Sequence, residues 1–229
     1  MNASDAKRRV GEEVARWVED GMVLGLGTGS TAAAAIRALG VRVQQGLRVT
    51  GVPTSFFAER LARQSGIALT TLDEADRLDL AFDGADEVDP DLTLIKGRGA
   101  AHTREKVVAS AADRFVVLVD ESKMVGRLGA RMPVPVEVVP MAASPVMRRL
   151  TQMGAECELR MGQSKDGPVV SDQGMWIVDA RFDGIAQPEA LSTAISCVPG
   201  VVDHGIFVGL ATDVLIGKSD GSVEHRTRR

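Results

Sequence analysis

The stretch "MVLGLGTGSTAAAAIRALG", residues 22–40, decides the fold. Its first part, "MVLGLG", is a short apolar run and predicts a buried strand. Its last part, "STAAAAIRALG", predicts a helix that stops at Gly40. Between them Gly25, Gly27 and Gly29 alternate, so strand, glycine turn and helix follow one another. Upstream, Val10, Val14, Trp17 and Val18 recur at helical spacing, with Ser4 placed as a cap. Downstream, "LRVTGV", "IALTTL" and "LDLAF" read as strands, the first two separated by the helical "SFFAERLARQSG". This alternation predicts an α/β fold with a mainly parallel sheet and helices on both faces. In such sheets ligands collect at the carboxyl ends of strands. Both "GLGTGST" and "DGADEVDP" follow strands, so one crevice is expected to hold them.

Past "FVVLVDESK" the rhythm changes. "VPVEVVP", "ECELRM", "MWIVDARF" and "GVVDHGIF" read as strands, with "SPVMRRLTQMG" and "QPEALSTAISCV" as helices. The order βαββαβ predicts an inserted ferredoxin-like α+β domain at residues 132–208, within an α/β domain made of 1–131 and 209–229. "EHRTRR" reads as a frayed basic tail.

The chain has 229 residues and a formal net charge of −4. That balance argues against a nucleic-acid surface, which is usually basic, and favours a small-molecule partner. No apolar run approaches the length of a membrane span. Cys157 and Cys197 stand in unrelated contexts, which indicates neither a disulfide framework nor a zinc site and fits a reducing cytoplasm. Both cysteines and His204 are assigned to structure.

"GLGTGST" suits a phosphate, because glycines let the backbone approach an anion and a helix N-terminus offers unpaired N–H groups beside Ser30 and Thr31. It is neither a dinucleotide fingerprint nor a Walker A loop. The alternative is a plain turn in which Ser30 or Thr31 caps the helix. "DGADEVDP" gathers Asp83, Asp86, Glu87 and Asp89. Their spacing disfavours an EF-hand, leaving a carboxylate pair on Mg²⁺, a solvated turn, or a site with cations close by. The next segment, "LIKGRGAAHTREK", supplies Lys96, Arg98, Arg104 and Lys106. It also places Glu105 in the second turn of a helix. A fixed carboxylate base and an ammonium that stabilises an oxyanion suit proton transfer at carbon. His102 is read as a surface or helix-packing residue, and Arg104 and Lys106 as solvated or paired.

In order and spacing, "GLGTGST", "FDGADEVDP", "IKGRGAAHTREK", "PVEVVPMA" and "ATDVLIGKSDG" resemble ribose-5-phosphate isomerase of the A type, over nearly the whole chain. The resemblance implies the deaminase/isomerase/CoA-transferase-like fold. It also implies interconversion of D-ribose 5-phosphate and D-ribulose 5-phosphate through a cis-enediolate, with no metal or organic cofactor. Carried over by motif, Glu105 is the general base, Lys96 stabilises the enediolate, and Asp83 and Asp86 contact sugar hydroxyls. Thr28, Gly29, Ser30 and Thr31 bind substrate, with Lys7 reaching the phosphate and Lys123 making a further contact. Gly84, Ala85, Gly97, Arg98 and Gly99 line the same site. A homodimer or homotetramer is implied as well. Arg98 departs from a glycine in the family pattern, and His102 from an apolar residue. Lys96, Lys123 and Arg98 are expected to face the acidic cluster and make it tolerable. Competing readings are an amino-sugar phosphate deaminase or coenzyme A transferase on the same architecture, and a sugar-phosphate sensor that has no use for Glu105.

Overall fold

The computed structural model describes residues 3–228. Along the chain run α1 (Ala3–Trp17), β1 (Val23–Leu26), α2 (Ser30–Gln44), β2 (Thr50–Pro53), α3 (Phe56–Gln64), β3 (Ala68–Leu69), β4 (Leu80–Gly84), β5 (Glu87–Val88) and β6 (Leu94–Ile95). There follow α4 (His102–Ser110), β7 (Phe115–Asp120), β8 (Val134–Val138), α5 (Ala143–Gln152), β9 (Glu156–Leu159), β10 (Trp176–Arg181), α6 (Pro188–Ser196), β11 (Val201–His204), β12 (Ile206–Phe207), β13 (Asp213–Gly217) and β14 (Val223–Thr227). Contacts gather into two compact units. The first takes the chain through Ala85, then Arg104–Lys123 and Leu210 onward; the second takes Asp86–Thr103 and Met124–Gly209. The second unit thus contains the 132–208 segment together with residues 86–103 and 124–131.

The first unit holds a seven-stranded sheet in the order β14-β13-β7-β4-β1-β2-β3. All its pairings are parallel except β13 with β14. From β1 the chain steps outward to β2 and β3, then returns to β4 and steps the other way to β7 and β13. The order therefore reverses between β1 and β4, the place where open α/β sheets bind their ligands.

Alternation along these strands sorts the two faces. Leu24, Leu26, Leu80, Phe82, Val116, Leu118 and Leu215 join a core with Val10 and Val14 of α1, Ile36 and Leu39 of α2, and Leu61 of α3. On the opposite face Gly25 and Ala81 are small for a reason. A Cβ on Gly25 would lie 2.5 Å from Cγ1 of Val108 and 2.6 Å from Cβ of Ala81. Helix α4 packs there, so helices cover both faces.

Three local expectations are corrected. Helix α2 runs through Gly40 to Gln44, because Gly40 is a packing position: a Cβ there would meet Cβ of Ser65 at 2.7 Å. Ser4 lies inside α1 and is not its cap. The terminal "EHRTRR" is largely strand, since β14 pairs antiparallel with β13 over Val223–Thr227.

The second unit contains an antiparallel sheet in the order β11-β8-β10-β9, its elements following as β8-α5-β9-β10-α6-β11. Val134, Val136, Val138, Val146, Leu150, Val178 and Ile195 form its core. The expected strand "GVVDHGIF" is split at Gly205. β11 joins the four-stranded sheet, while β12 joins a small sheet in the order β12-β6-β5. A Cβ at Gly205 would stand 2.1 Å from the Lys96 carbonyl oxygen, so only glycine lets the two backbones meet. Among the described residues no helix is long and apolar enough to cross a membrane.

Candidate functional site

In the first unit the glycine loop and the acidic strand end interlock at the switch point. Gly27 N–H donates to the Phe82 carbonyl at 3.0 Å. A Cβ on Gly27 would lie 2.4 Å from both Cγ of Asp83 and that carbonyl oxygen. Asp83 is 2% exposed, and its Oδ1 accepts the N–H groups of Thr28 at 3.0 Å and Gly84 at 2.7 Å. The Thr28 hydroxyl donates to Ser55 Oγ at 2.6 Å, which seats the loop on the residues after β2. Gly29 is the N-cap of α2 with φ 102, and no side chain caps the helix, so the capping roles considered for Ser30 and Thr31 are not taken up. The first N–H groups of α2 therefore carry their positive end toward the loop. Lys7 of α1 lines the same groove as Thr28, Gly29 and Ser30, a space of about 1070 Å³ that also borders Arg37 and Phe57. Lys123, in the short turn Glu121–Lys123 after β7, is not among its lining residues.

Glu105 belongs to the first turn of α4, not the second, because the helix starts at His102. The glycines and Ala100, with φ 58, keep the preceding residues out of the helix. Glu105 is 5% exposed and one turn before Val108, the residue that covers Gly25. Residues three apart share a helix face, so Glu105 is on the sheet-facing side of α4. It sits at the positive end of the helix.

The second unit carries Asp86, Lys96 and residues 97–99. Oδ2 of Asp86 accepts the Arg98 backbone N–H at 3.0 Å, and the Asp86 N–H donates to the Ile95 carbonyl. Lys96 is 3% exposed, with its backbone N–H on the Gly205 carbonyl and its ammonium 5.6 Å from the centre of the Phe207 ring. Gly97 has φ 107, and a Cβ there would strike the His102 ring at 2.7 Å. His102 is therefore a fully buried packing residue and not a surface one. Arg98 has no positive φ, so arginine is unstrained there, and its side chain is exposed.

Backbone donors reach every carboxylate of the acidic cluster, a contribution that the sequence reading, which looked to lysine and arginine side chains, did not include. Glu87, fully buried, accepts three N–H groups, from Gly129 at 2.7 Å, Arg131 at 2.7 Å and Met132 at 2.8 Å. Asp89 accepts those of Asp91 at 2.9 Å and Thr93 at 2.8 Å. With Asp83 and Asp86 each bound to N–H groups as well, all four carboxylates accept from oriented peptides, which stand in for water around the buried Asp83, Glu87 and Asp89. Among the described residues no group of three or more His, Cys, Asp or Glu side chains is arranged to hold a metal ion.

Sequence reading passed over the residues that brace this unit. Glu137 of β8 is fully buried and accepts hydrogen bonds from the hydroxyls of Thr103, two residues before Glu105, and Ser171. Arg160 forms a bidentate pair with Asp179, at 2.5 and 2.8 Å. In the sequence, Glu137 and Asp179 stand out only as charged residues within otherwise apolar strands, and Arg160, just past β9, carries no such mark. His204 is buried beside Ser192 and Ser196, as a structural role requires, while both cysteines are free, Cys157 half-buried and Cys197 exposed. Burial pushes the Cys157 thiol above its ordinary range.

A glycine loop at a helix N-terminus beside a buried carboxylate, both at the switch point of a parallel sheet, marks an α/β protein suited to a small anionic ligand. Comparison with known proteins gives the family. The model of ribose 5-phosphate isomerase A (phosphoriboisomerase A) matches residues 50–221. Ribose-5-phosphate isomerase A of Thermosynechococcus vestitus is 55% identical over 93% of this chain and 91% of its own length. That of Pyrococcus abyssi is 48% identical over 96% and 97%. A D-ribose-5-phosphate isomerase solved in complex with phospho-erythronic acid superposes with a TM-score of 0.97, 44% identical and covering 100% of both chains. The Methanocaldococcus jannaschii ribose 5-phosphate isomerase A structure gives 0.95 at 48% identity, covering 99% of this chain and 100% of its own. The chain belongs to the ribose 5-phosphate isomerase A family.

Proposed function

We propose that the protein interconverts D-ribose 5-phosphate and D-ribulose 5-phosphate through a cis-enediolate, with Glu105 as the base. The observation that carries this reading is the interlock of Gly27 with Asp83, which sets an anion-receptive loop against a buried carboxylate at the switch point. Family membership supports the reaction. The relative bound to phospho-erythronic acid supports the intermediate, since a phosphorylated acid offers a planar pair of oxygens like those of an enediolate.

In this mechanism the phosphate lies on Thr28, Gly29, Ser30 and Thr31 with Lys7, and Lys123 makes a further contact. Asp83 and Asp86 accept hydroxyl hydrogen bonds, assist ring opening and exchange protons between O1 and O2. Gly84, Ala85, Gly97 and Gly99 let the sugar approach the backbone, and Arg98 adds positive charge. Glu105 removes the C2 proton of the open-chain aldose, and the electron pair moves to the C1 carbonyl. Lys96 stabilises the oxyanion so formed. The proton returns from Glu105 to C1, giving the ketose. A positioned base contributes about 10²–10⁴ in rate, and an oxyanion donor about 2.7–4 kcal/mol. The strand order β11-β8-β10-β9 supports reading residues 132–208 as a ferredoxin-like insert.

The test is formation of ribulose 5-phosphate from ribose 5-phosphate by the purified, EDTA-treated protein, run beside glucosamine 6-phosphate and an acyl-coenzyme A with an acceptor acid. Turnover of the pentose phosphate alone is expected. An inert protein, or one that turns over only the other substrates, overturns the assignment.

A further inference from the structure

The peptide group joining Gly97 to Arg98 is gripped at both ends. Its N–H donates to Oδ2 of Asp86 at 3.0 Å. Its carbonyl, that of Gly97, accepts from Nη1 of Arg160 at 2.9 Å. The same nitrogen donates to the Arg98 carbonyl at 3.1 Å. The other edge of the guanidinium is fixed, with Nε on Oδ2 and Nη2 on Oδ1 of Asp179. The Arg160 and Asp179 side chains are 17% and 22% exposed, so water competes little for either. Asp179 stands on β10, a strand paired on both sides, with β8 and with β9. The anchor therefore belongs to the rigid sheet, and the object it holds is a loop.

We propose that Arg160 is a positioning residue for the isomerisation. It orients the Gly97–Arg98 peptide so that its N–H fixes the carboxylate of Asp86, and it holds the loop that follows Lys96. This rests on the reading that Asp86 acts on the substrate. A guanidinium is suited to the task because its planar fork meets a carboxylate on one edge and carbonyls on the other, which an ammonium cannot do at once. A positive charge at the carbonyl end also polarises the peptide and strengthens its N–H as a donor to Asp86. A misplacement of about 1 Å in a reacting group costs about 10²-fold in rate, so the anchor matters although it is remote in sequence.

The experiment measures kcat, KM and melting temperature for Arg160→Met, Arg160→Lys, Asp179→Asn, Asp86→Asn and the double variant Asp86→Asn/Arg160→Met. The expectation for Arg160→Met is a loss of about 10²-fold in kcat with a small change in KM. Arg160→Lys should recover part of that loss. Asp179→Asn, which loosens the guanidinium without removing it and covers the case in which Arg160→Met does not fold, should lose less in the same direction. In the Asp86→Asn background the Arg160 effect should nearly vanish, since coupled residues are not additive. Full additivity would show that Arg160 does not act through Asp86. A folded Arg160→Met with kcat within twofold of wild type overturns the inference while leaving the site reading intact if Asp86→Asn is crippled. Near-normal kcat in Asp86→Asn contradicts the role given to Asp86 and the inference with it.

Discussion

Gly27 shows how much one residue can settle. Its missing side chain lets the loop after β1 touch the carboxylate at the end of β4, with no room for a methyl group between them. Gly27→Ala must push Asp83 or the Phe82 carbonyl aside, and overpacking of this kind costs about 1–3 kcal/mol. The expected outcome is a lower urea midpoint and a kcat loss larger than the stability loss explains, because Asp83 moves. A variant with normal kcat would show that Asp83 is not held for catalysis by this contact. The sequence reading singled out Gly27, Asp83 and Glu105 because each stands in a short local pattern. It left His102 between a surface and a packing role, and the absent Cβ of Gly97 settles that in favour of packing. Whether an arginine fits where the family pattern has glycine is decided at Arg98 by a backbone angle and by no residue type.

The acidic segment is where local reading fell short. Four carboxylates in a row look like a demand for cations, yet Glu87 of β5 is satisfied by N–H groups from Gly129, Arg131 and Met132, far along the chain. No local pattern encodes that pairing. Replacing Glu87 by Ala leaves three donors without their acceptor, the buried N–H of Gly129 and the half-buried ones of Arg131 and Met132, and a loss of this kind costs about 1–3 kcal/mol for each fully buried group. Urea unfolding should show a destabilisation of about 2–3 kcal/mol, with Glu87→Gln intermediate because its amide nitrogen cannot accept. A drop below about 1 kcal/mol in Glu87→Ala would mean that the donors find other partners. The helices were more legible than this segment, since periodicity and turn chemistry set them. Where α2 overran its expected end, Gly40 was serving a tertiary contact with Ser65 that mimics a stop signal.

At the scale of the molecule, the parallel sheet was readable from the alternation of strands and helices, but its edge was not. The final strand β14 looked like a basic tail, and what its pairing contributes appears only in three dimensions. His225 Nε2 comes within 2.7 Å of Asp213 Oδ1 on β13, and Arg114 donates to both Asp213 oxygens, at 2.9 and 3.2 Å. Burial, the largest influence, pushes the Asp213 carboxyl up, but hydrogen bonds from Arg114, Thr212 and His225 together hold it below its ordinary range. A depressed carboxyl stabilises the fold at pH values above about 3.9, its unfolded value, and that contribution is lost as pH falls through the folded value. Asp213→Asn should therefore melt lower than wild type at pH 7, by about 1.5–3 kcal/mol for hydrogen bonds to a charged group, and the gap should close toward pH 3. A gap that stays constant with pH would contradict this role.

The central claim is that Glu105 carries the proton between C1 and C2. The direct measurement is kcat for ribose 5-phosphate in Glu105→Gln against wild type, with solvent deuterium incorporation at C1 of the product and melting temperature taken on the same samples. The expected result is a folded variant whose kcat falls by about 10²–10⁴, with KM changed little and deuterium incorporation lost in step. A folded Glu105→Gln that isomerises within tenfold of wild type, and still exchanges deuterium, would contradict it.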